Sequence, residues 1–305
     1  MNHDETAERF DVVGALARQH LPAPAADDIL ATLRPALRLV HATGHQPVVG
    51  HLGGQPSLTG RSWPWWEGRG PLSHVLSFDC AVVARLLPEL GVPAGGRLAF
   101  FYFDGRYDDF SSSMVDTRHP GTASGFRVRH LPGAPDGHRD PTTPPSDLEP
   151  FPEVPLGAVR TLTWPDPEAP VAQAVWRAHG LEGPEPCLLS PPVHAFYEAL
   201  RVLPGGGDTH QIGGHPSPQQ GTVELEAEEL RRGLDARLPG ARPFDPGAFD
   251  RDDPAVLVAA SRWQLLLQVA SDDAAEMMWG DVGQLYYLAR SPGEPEDALF
   301  TWQCG

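Results

Sequence analysis

The sequence predicts an α+β protein made of two divergent, internally duplicated halves that pack into one unit, with helices at the N-terminus. Three observations lead to this prediction. The 305 residues include 34 prolines and 32 glycines, which favour many turns and few long helices. Apolar residues recur at both helical and strand spacing along the chain. Two phrases, HLGGQPSL at 51–58 and HQIGGHPSP at 210–218, repeat a glycine pair followed by one polar residue, Pro and Ser.

The composition limits the class of protein. A chain of this length with 41% apolar residues and eight tryptophans can bury a large core. No apolar run approaches the roughly 20 residues of a membrane-spanning helix. The acidic start, MNHDETAERF, lacks the basic and apolar parts of a secretory signal. Three widely separated cysteines fit reduced thiols better than a disulfide framework. We therefore expect a cytoplasmic protein that does not bind membranes.

The charged residues exclude several functions. The net charge is −17, which argues against nucleic acid as a partner because phosphate binding needs a basic face. All 23 basic side chains are arginines. Without lysine, a Schiff-base site, a P-loop lysine and a kinase-type lysine are impossible. No cofactor is predicted.

The N-terminal 40 residues are predicted to form a helical segment. Residues 5–18 place apolar side chains on one face with a period near 3.6. A break follows, and an aspartate pair caps a second predicted helix that runs to Leu39. The rest of the chain, 41–305, is predicted to be one domain with two pseudo-repeats, 41–150 and 151–305.

The first pseudo-repeat begins with an ordered loop region that is rich in Gly, Pro and Trp. Apolar runs then predict a strand at 72–80, a helix at 81–90 and a strand at 95–105. The proline-rich segment 130–157 is either a surface excursion or a linker between the halves.

The second pseudo-repeat is predicted to contain more helix. The helices are expected at 167–180, 190–203 and 222–238, with a further short one at the start of DPAVLV. The strands are expected at 157–164, 263–269, 283–290 and 298–304. In both copies a GGxPS turn leads to a strand ending near Asp, then to Gly-x-Leu and an aromatic strand. The acidic helix is the predicted insertion in the second copy.

Several motifs also resemble those of a known family. GGQPSLTGRSWPWW, GGRLAFFYFDG, HQIGGHPSPQQG, WQLLLQVASDD, MMWGDVGQLYYLAR and the closing WQC follow the order of the YwqG-like family, DUF1963. The similarity spans roughly 45–305, and the Trp-rich turn SLTGRSWPWW departs from the family pattern. The resemblance implies a mixed α+β fold with mostly antiparallel sheet. It brings no established activity.

Histidines near the first glycine phrase are candidates for a metal site. Such a site needs two or three converging ligands, and His41, His45 and His51 lie within eleven residues. Gly44 and Pro47 make a helix there unfavourable, so helical ligand spacing does not apply. The alternative is that these histidines hold turns by hydrogen bonds to the backbone. We favour that alternative and predict no metal.

The segment SDDAAEMMWGDVG at 271–283 carries a cluster of carboxylates. Paired carboxylates serve acid–base chemistry when their environment shifts a pKa. The candidate catalytic residues are Asp281 and Asp272, together with His210 beside the second glycine pair. The alternative is that the aspartates accept backbone N–H bonds in turns.

The candidate binding residues are mostly tryptophans. They are Trp63, Trp65 and Trp66 in one loop, with Trp279, Arg106 and Asp104. Together with the acidic charge, they favour a non-enzymatic peptide-binding or protein-binding module, regulatory or toxin-neutralising. The second hypothesis is an acid–base tailoring enzyme of bacterial secondary metabolism, a hydrolase, lyase or cyclase, with its Asp and His residues in a central cleft.

Overall fold

The computed structural model describes residues 4–44, 46–104, 114–133, 141–184, 188–203, 209–239 and 245–305. The helices are α1 (Thr6–His20), α2 (Ala23–Ala31), α3 (Cys80–Leu86), α4 (Pro170–Ala178), α5 (Pro191–Arg201), α6 (Val223–Asp235) and α7 (Pro254–Ala260). Short 3-10 helices lie at Pro88–Leu90, Pro120–Gly125, Pro246–Ala248 and Pro295–Asp297. Among these helices of the described residues, none has the length and apolar character needed to cross a lipid bilayer.

The strands alternate with the helices along the chain. They are β1 (Arg34–His41), β2 (Gly50–Leu52), β3 (Trp65–Trp66), β4 (Gly70–Pro71), β5 (Ser73–Asp79), β6 (Arg97–Tyr102), β7 (Phe126–Leu131), β8 (Val154–Thr163), β9 (Gln211–Gly213), β10 (Gln264–Ala270), β11 (Gln284–Ala289) and β12 (Leu299–Gln303). Ten of them form one antiparallel sheet in the order β12-β11-β10-β9-β1-β8-β2-β5-β6-β7, and β3 pairs with β4. The predicted mixed α+β class with mostly antiparallel sheet is confirmed.

Strand β1 lies at the centre of this sheet and α2 ends at Ala31, so the predicted helix to Leu39 is wrong beyond residue 31. β1 pairs with β8 along all eight of its residues and with β9 on its other side. Its side chains alternate in the manner of a strand. Leu37 and Leu39 enter the main core, whereas Arg38 points to the opposite face and bonds Glu5 at 3.2 Å. The N-terminal 40 residues are therefore helical only in part.

The sheet curls until its two ends face each other, which nearly closes it. Tyr102 of β6 and Phe126 of β7 stack on Phe300 of β12, with ring centroids 4.8 and 5.4 Å apart. The Tyr287 hydroxyl of β11 donates to the Phe101 carbonyl of β6 at 3.1 Å. Each aromatic pair contributes roughly 0.5–1.5 kcal/mol beyond its buried area. The main core lies inside this curl.

Helices cover the outer face of the central strands. Val13 of α1, Ile29 of α2, Trp176 of α4 and Phe196 of α5 belong to one buried cluster. Their side chains recur along one face of each helix, as expected for amphipathic helices on a sheet. The Trp176 indole donates to the Pro167 carbonyl at 3.2 Å, which leaves this buried polar group satisfied.

The sheet has two wings on either side of the central β1–β8 pair, one formed by β2, β5, β6 and β7 and the other by β9, β10, β11 and β12. The segments that follow the two glycine pairs cover the outer faces of these wings. Both residues of each pair have positive φ, from 55° to 74°. After the first pair, Trp63 and Trp66 pack edge-to-face on Phe101 and Phe103, so this cover is apolar. After the second pair, the cover is polar. Its backbone amides at 217, 219 and 220 donate to the buried side chains of Gln268 and Gln303.

The described part of the proline-rich segment 130–157 lies on the surface against the first of these covers. Thr142 receives the Leu58 N–H on its hydroxyl at 2.9 Å and donates its own N–H to the Pro56 carbonyl at 3.0 Å. Residues 134–140 are outside the described ranges. The segment connects β7 to the central strand β8, so it joins two parts of a single sheet.

Candidate functional site

Three side chains predicted as candidates for different kinds of site meet at one end of the sheet. His41 is the last residue of β1, His210 directly precedes β9, and Asp272 follows β10 by two residues. Because β9 pairs with β1 on one side and with β10 on the other, the ends of these strands are neighbours. The cluster lies at the rim of the curled sheet.

The carboxylate of Asp272 is the centre of the cluster. Its Oδ2 lies 2.7 Å from Nε2 of His41 and 3.0 Å from Nε2 of His210. Its Oδ1 accepts the backbone N–H of Ala275 at 2.9 Å, and its backbone pairs with Met277 in both directions. Asp272 is thus fixed by its own turn and by two imidazoles. The predicted alternative of a turn aspartate and the predicted acid–base role fall on the same residue.

The hydrogen bonds of His210 define its tautomer. Nδ1 accepts the backbone N–H of Ala270 at 3.2 Å, so it carries no proton. The proton is on Nε2, which donates it to Asp272. The ring is buried, and it accepts the N–H of β10 at a position where the short β9 offers no backbone carbonyl. His210 is a fixed donor to the carboxylate.

Asp272 is held in its ionised form. The hydrogen bond from His210 is the largest cause that lowers the pKa of this carboxyl, followed by those from Ala275 and His41, and together they outweigh desolvation. The pKa lies far below its usual range. An ionised Asp272 accepts hydrogen bonds from both imidazoles and has no proton of its own to donate.

His41 is the member of the cluster that reaches solvent. Its side chain is 46% exposed, whereas the side chains of Asp272 and His210 are each 9% exposed. With Nε2 bound to Asp272, Nδ1 makes no hydrogen bond to any residue that the structure describes. This ring can accept a proton from a bound molecule at Nδ1 while Asp272 steadies the imidazolium that forms.

The same three residues have the composition of a metal site, and their ligand atoms lie within 4.8 Å of one another. A metal would bind a lone pair on Nε2 of each histidine. In His210 that nitrogen carries the proton, because Nδ1 accepts the Ala270 N–H. The cluster as built is therefore bridged by protons, and a cation would have to break the Ala270 bond to coordinate His210.

The remaining acid–base and metal candidates lie elsewhere. Asp281 is exposed in the turn before β11, where its carbonyl accepts the Gly305 N–H. His51 is 3.9 Å from Glu153 and does not join His41. His45 lies outside the described residues. Among the described residues, no further predicted candidate joins the cluster at Nδ1 of His41.

The tryptophan candidates occupy different environments. Trp63 donates its indole N–H to the Leu72 carbonyl and Trp66 packs on Phe103, so both cover the first wing. Trp279 is 2% exposed inside the core. Trp65 is 49% exposed. Asp104 accepts the Ser73 hydroxyl at 3.2 Å, and Arg106 lies outside the described residues.

A nucleophilic thiol is excluded at Cys80. Burial raises the pKa of this thiol to about 12, with a further contribution from the neighbouring Asp79. A thiol that stays protonated at neutral pH is neither a nucleophile nor a metal ligand. Cys80 packs in the main core.

Sequence reasoning missed one concave site altogether. A cavity of about 460 Å³ lies under the helices, between α1, α5, the end of β8 and the second glycine phrase. Asp166 and His215 are among its lining residues, and neither belongs to a catalytic motif. The signal for it in the sequence is the second phrase itself, whose polar residue is His215 where the first phrase has Gln55.

A family model described as "Domain of unknown function (DUF1963)" matches residues 50–304. A search of the curated proteins finds none that matches the chain. The matched range contains β2 and every later strand, together with His210 and Asp272, and it begins after His41.

Proposed function

This chain belongs to the DUF1963 family, and because that family's description names no activity, we propose a function from the site itself. We propose that the protein is an acid–base enzyme in which His41 transfers the proton. Asp272 positions His41, and His210 positions Asp272. The reaction class is a hydrolysis, an elimination or a cyclisation, since each begins with removal of a proton from water or from the substrate.

One observation carries this proposal. A shielded, ionised carboxylate is hydrogen-bonded to a half-exposed imidazole whose other nitrogen is open. In this arrangement His41 Nδ1 takes the proton, the positive charge is stabilised by Asp272, and the proton later returns to the leaving group. General acid–base catalysis of this kind contributes roughly 10²–10⁴-fold to a rate.

The test works with an unidentified substrate. The purified protein is incubated with a bacterial metabolite extract, and consumed and formed compounds are measured by mass spectrometry. We expect at least one substrate–product pair with the native protein, and a rate at least 100-fold lower with His41→Gln. His194→Gln is the matched control, because His194 is an exposed histidine on α5.

Two outcomes would count against an enzyme. The first is a conversion that His41→Gln and His194→Gln leave equally fast, which would place the chemistry elsewhere. The second is an unchanged extract with every protein. Asp272→Asn adds a graded check, since loss of the charge that steadies the imidazolium should lower the rate while His41 remains in place.

A binding module for a peptide or protein is the second candidate. The observation that favours it is Trp65, a large indole that is half exposed on the short β3–β4 ribbon of an acidic protein. Its test is affinity capture of partners with the native protein and with Trp65→Ala. A partner captured equally by both proteins would remove the observation on which this candidate rests.

Internal duplication is a further part of the proposal. The strand order supports it, because the series β1, β2, β5, β6, β7 and the series β8 to β12 occupy mirrored places about the β1–β8 pair. Each glycine pair follows the second strand of its series, β2 or β9. The first strand of each series pairs with the second strand of the other. The first repeat would then begin with β1, before its predicted bound at residue 41, and the two repeats would have exchanged their first strands.

A further inference from the structure

The cavity under the helices has the size and lining of a small-molecule site. Its volume of about 460 Å³ falls in the range of roughly 300–1,000 Å³ that ligand pockets occupy. Its walls come from four parts of the chain, which the fold brings together on the outer face of the sheet. It contains neither His41 nor Asp272, so it is separate from the cluster to which we assign the proton transfer.

The wall contains a carboxylate that lacks a counter-ion. Asp166 lies in the turn between β8 and α4, where its Oδ1 accepts the Glu168 N–H at 2.8 Å. No arginine or histidine of the described residues lies within salt-bridge distance of it. Burial is the main cause that raises the pKa of this carboxyl to about 6. At neutral pH the wall therefore holds a mostly ionised and uncompensated negative charge.

The cations of the same wall lie near carboxylates other than Asp166, and Glu5 is shared between Arg9 and Arg38. Arg9 lies 3.8 Å from Glu5, and Arg201 lies 3.1 Å from Glu198. Behind the wall, burial raises the pKa of Glu224 to about 7, Asp166 adds to this rise, and Arg34 offsets part of it. Next to Asp166 itself, the one charged neighbour among the described residues that acts on its pKa is Glu168, whose charge raises it, and no arginine there offsets that rise.

Two uncharged side chains of the wall, His215 and Gln211, keep an acceptor atom. His215 is 2% exposed and donates Nε2–H to the Thr32 carbonyl at 2.7 Å, which leaves Nδ1 as an acceptor. That Nδ1 is buried and has no hydrogen-bond partner. The side-chain amide of Gln211 donates to two carbonyls, those of Gly213 and His215, and keeps its own oxygen as an acceptor. Because the Nδ1 of His215 is buried from the cavity, the carboxylate of Asp166 is the group of this wall that calls for a ligand of opposite charge.

Another part of the lining is apolar. Leu162 and Trp164 come from the end of β8, and Leu200 comes from α5. The Trp164 indole is flat and wide, and Arg9 covers one of its faces at 5.8 Å. Such a lining favours the body of a ligand that is aliphatic or aromatic.

We propose that this cavity binds a small organic amine, with its ammonium group at Asp166 and its apolar body against Leu162, Trp164 and Leu200. The ammonium supplies a positive charge beside Asp166 and N–H donors for its carboxylate oxygens. An amine carries both in one group. Neither a neutral alcohol nor a carboxylate of the same shape does.

The test is a comparison of three matched probes by titration calorimetry at pH 8. They are 2-phenylethylamine, 2-phenylethanol and 3-phenylpropionate, which differ in charge and share the phenyl group. We expect saturable binding of the amine, at least tenfold tighter than that of the alcohol, and no binding of the carboxylate. Asp166→Asn should weaken the amine at least tenfold, whereas the exposed Asp147→Asn should leave it unchanged.

Asp166→Asn keeps the acceptor for the Glu168 N–H, so the turn should persist, and circular dichroism checks this. If that variant does not fold, Trp164→Leu decides, because it removes the indole and keeps the charge. The proposal is overturned if no probe saturates up to 20 mM. It is also overturned if the alcohol binds as tightly as the amine, or if both Asp166→Asn and Trp164→Leu bind the amine like the native protein.

Discussion

At the scale of the residue, two buried histidines of one phrase have different hydrogen-bond partners and therefore different roles. His210 and His215 lie five positions apart in one phrase and both are buried. His210 donates to an ionised carboxylate, whereas His215 donates to a carbonyl and keeps an unpartnered nitrogen. Burial lowers the pKa of His215 to about 3, so its ring is neutral at physiological pH. The sequence motif alone does not distinguish the two roles.

Buried carboxyls follow the same logic, and Glu224 provides a test by its pH dependence. Its pKa in the folded protein, about 7, lies above the value of 4.5 expected in the unfolded chain. Between pH 4.5 and pH 7 the folded protein holds a proton on Glu224 that the unfolded chain has lost. The free energy of unfolding therefore falls as the pH rises from 4.5 through 7. Glu224→Gln removes the titrating group and should be more stable than the native protein at pH 8, by on the order of 2 kcal/mol.

The measurement is urea unfolding of both proteins at pH 4 and pH 8. At pH 4 the two free energies of unfolding should differ little, because Glu224 is then protonated and resembles Gln. A variant that gains nothing between pH 4 and pH 8 would show that the carboxylate finds compensation in the folded protein. Exposed Glu8→Gln is the matched control.

At the scale of the element, the strands with unbroken apolar runs are predictable from sequence and the short or exceptional ones are not. Runs at 72–80, 263–269 and 283–290 correspond to β5, β10 and β11 with boundary shifts of one or two residues. β1 resembles helix in its sequence because it directly follows a real helix, and its eight residues include Ala, Leu and Arg, which favour helices. Pairing with β8 on one side outweighs that local preference.

Gly53 of the first glycine pair and Gly60, which lies outside both pairs, provide a test of the same element-scale reasoning. Gly53 has φ 55°, and a Cβ there would meet the Pro152 carbonyl oxygen at 2.3 Å. Gly60 has φ 82° and open space around it. Gly60→Ala should therefore cost only the left-handed backbone, about 1–2 kcal/mol. Gly53→Ala should cost at least about 2 kcal/mol more, since backbone must also move.

Thermal unfolding of the two alanine variants beside the native protein measures this difference. Equal melting temperatures for the two variants would mean that the first turn relaxes without cost. In that case the repeated phrase would be fixed by backbone conformation alone, and the close approach to Pro152 would carry no weight.

At the scale of the whole molecule, the candidate site depends on strand order, which no local pattern contains. His41 and Asp272 are 231 positions apart, and His210 and Asp272 are 62 apart. Residue type alone makes each of them a candidate, yet closeness in sequence groups His41 with His45 and His51. The central position of β1 brings His41 beside the second half of the chain. Asp166 belongs to no sequence motif. Its burial arises from helices that pack over it in the fold, so its local sequence does not reveal it.

The curl of the sheet predicts coupling between its two ends. Phe300 of β12 is fully buried and stacks on rings from β6 and β7. Phe300→Ala should lower the free energy of unfolding by about 3–5 kcal/mol, as large-to-small core substitutions do. Hydrogen exchange should also speed up in β6 and β7, and not only in β11 and β12.

Phe10→Ala is the comparison, since Phe10 is 44% exposed on α1 and should change stability by no more than about 0.5 kcal/mol. Exchange that accelerates in β11 and β12 alone would show that the two ends of the sheet open independently. The nearly closed sheet would then behave as two wings that touch without being coupled.

The central position of β1 also has a consequence for biosynthesis. β1 leaves the ribosome early, but its partners β8 and β9 end at Thr163 and Gly213. At roughly 5–20 residues per second, the interval between translation of β1 and of β9 is about 10–35 s. During that time β1 has at most one of its two partner strands, because β8 is complete before β9. We expect the N-terminal helices α1 and α2 to remain unpacked until β1 has its partners. The protein should therefore acquire protease resistance only after its last third has emerged.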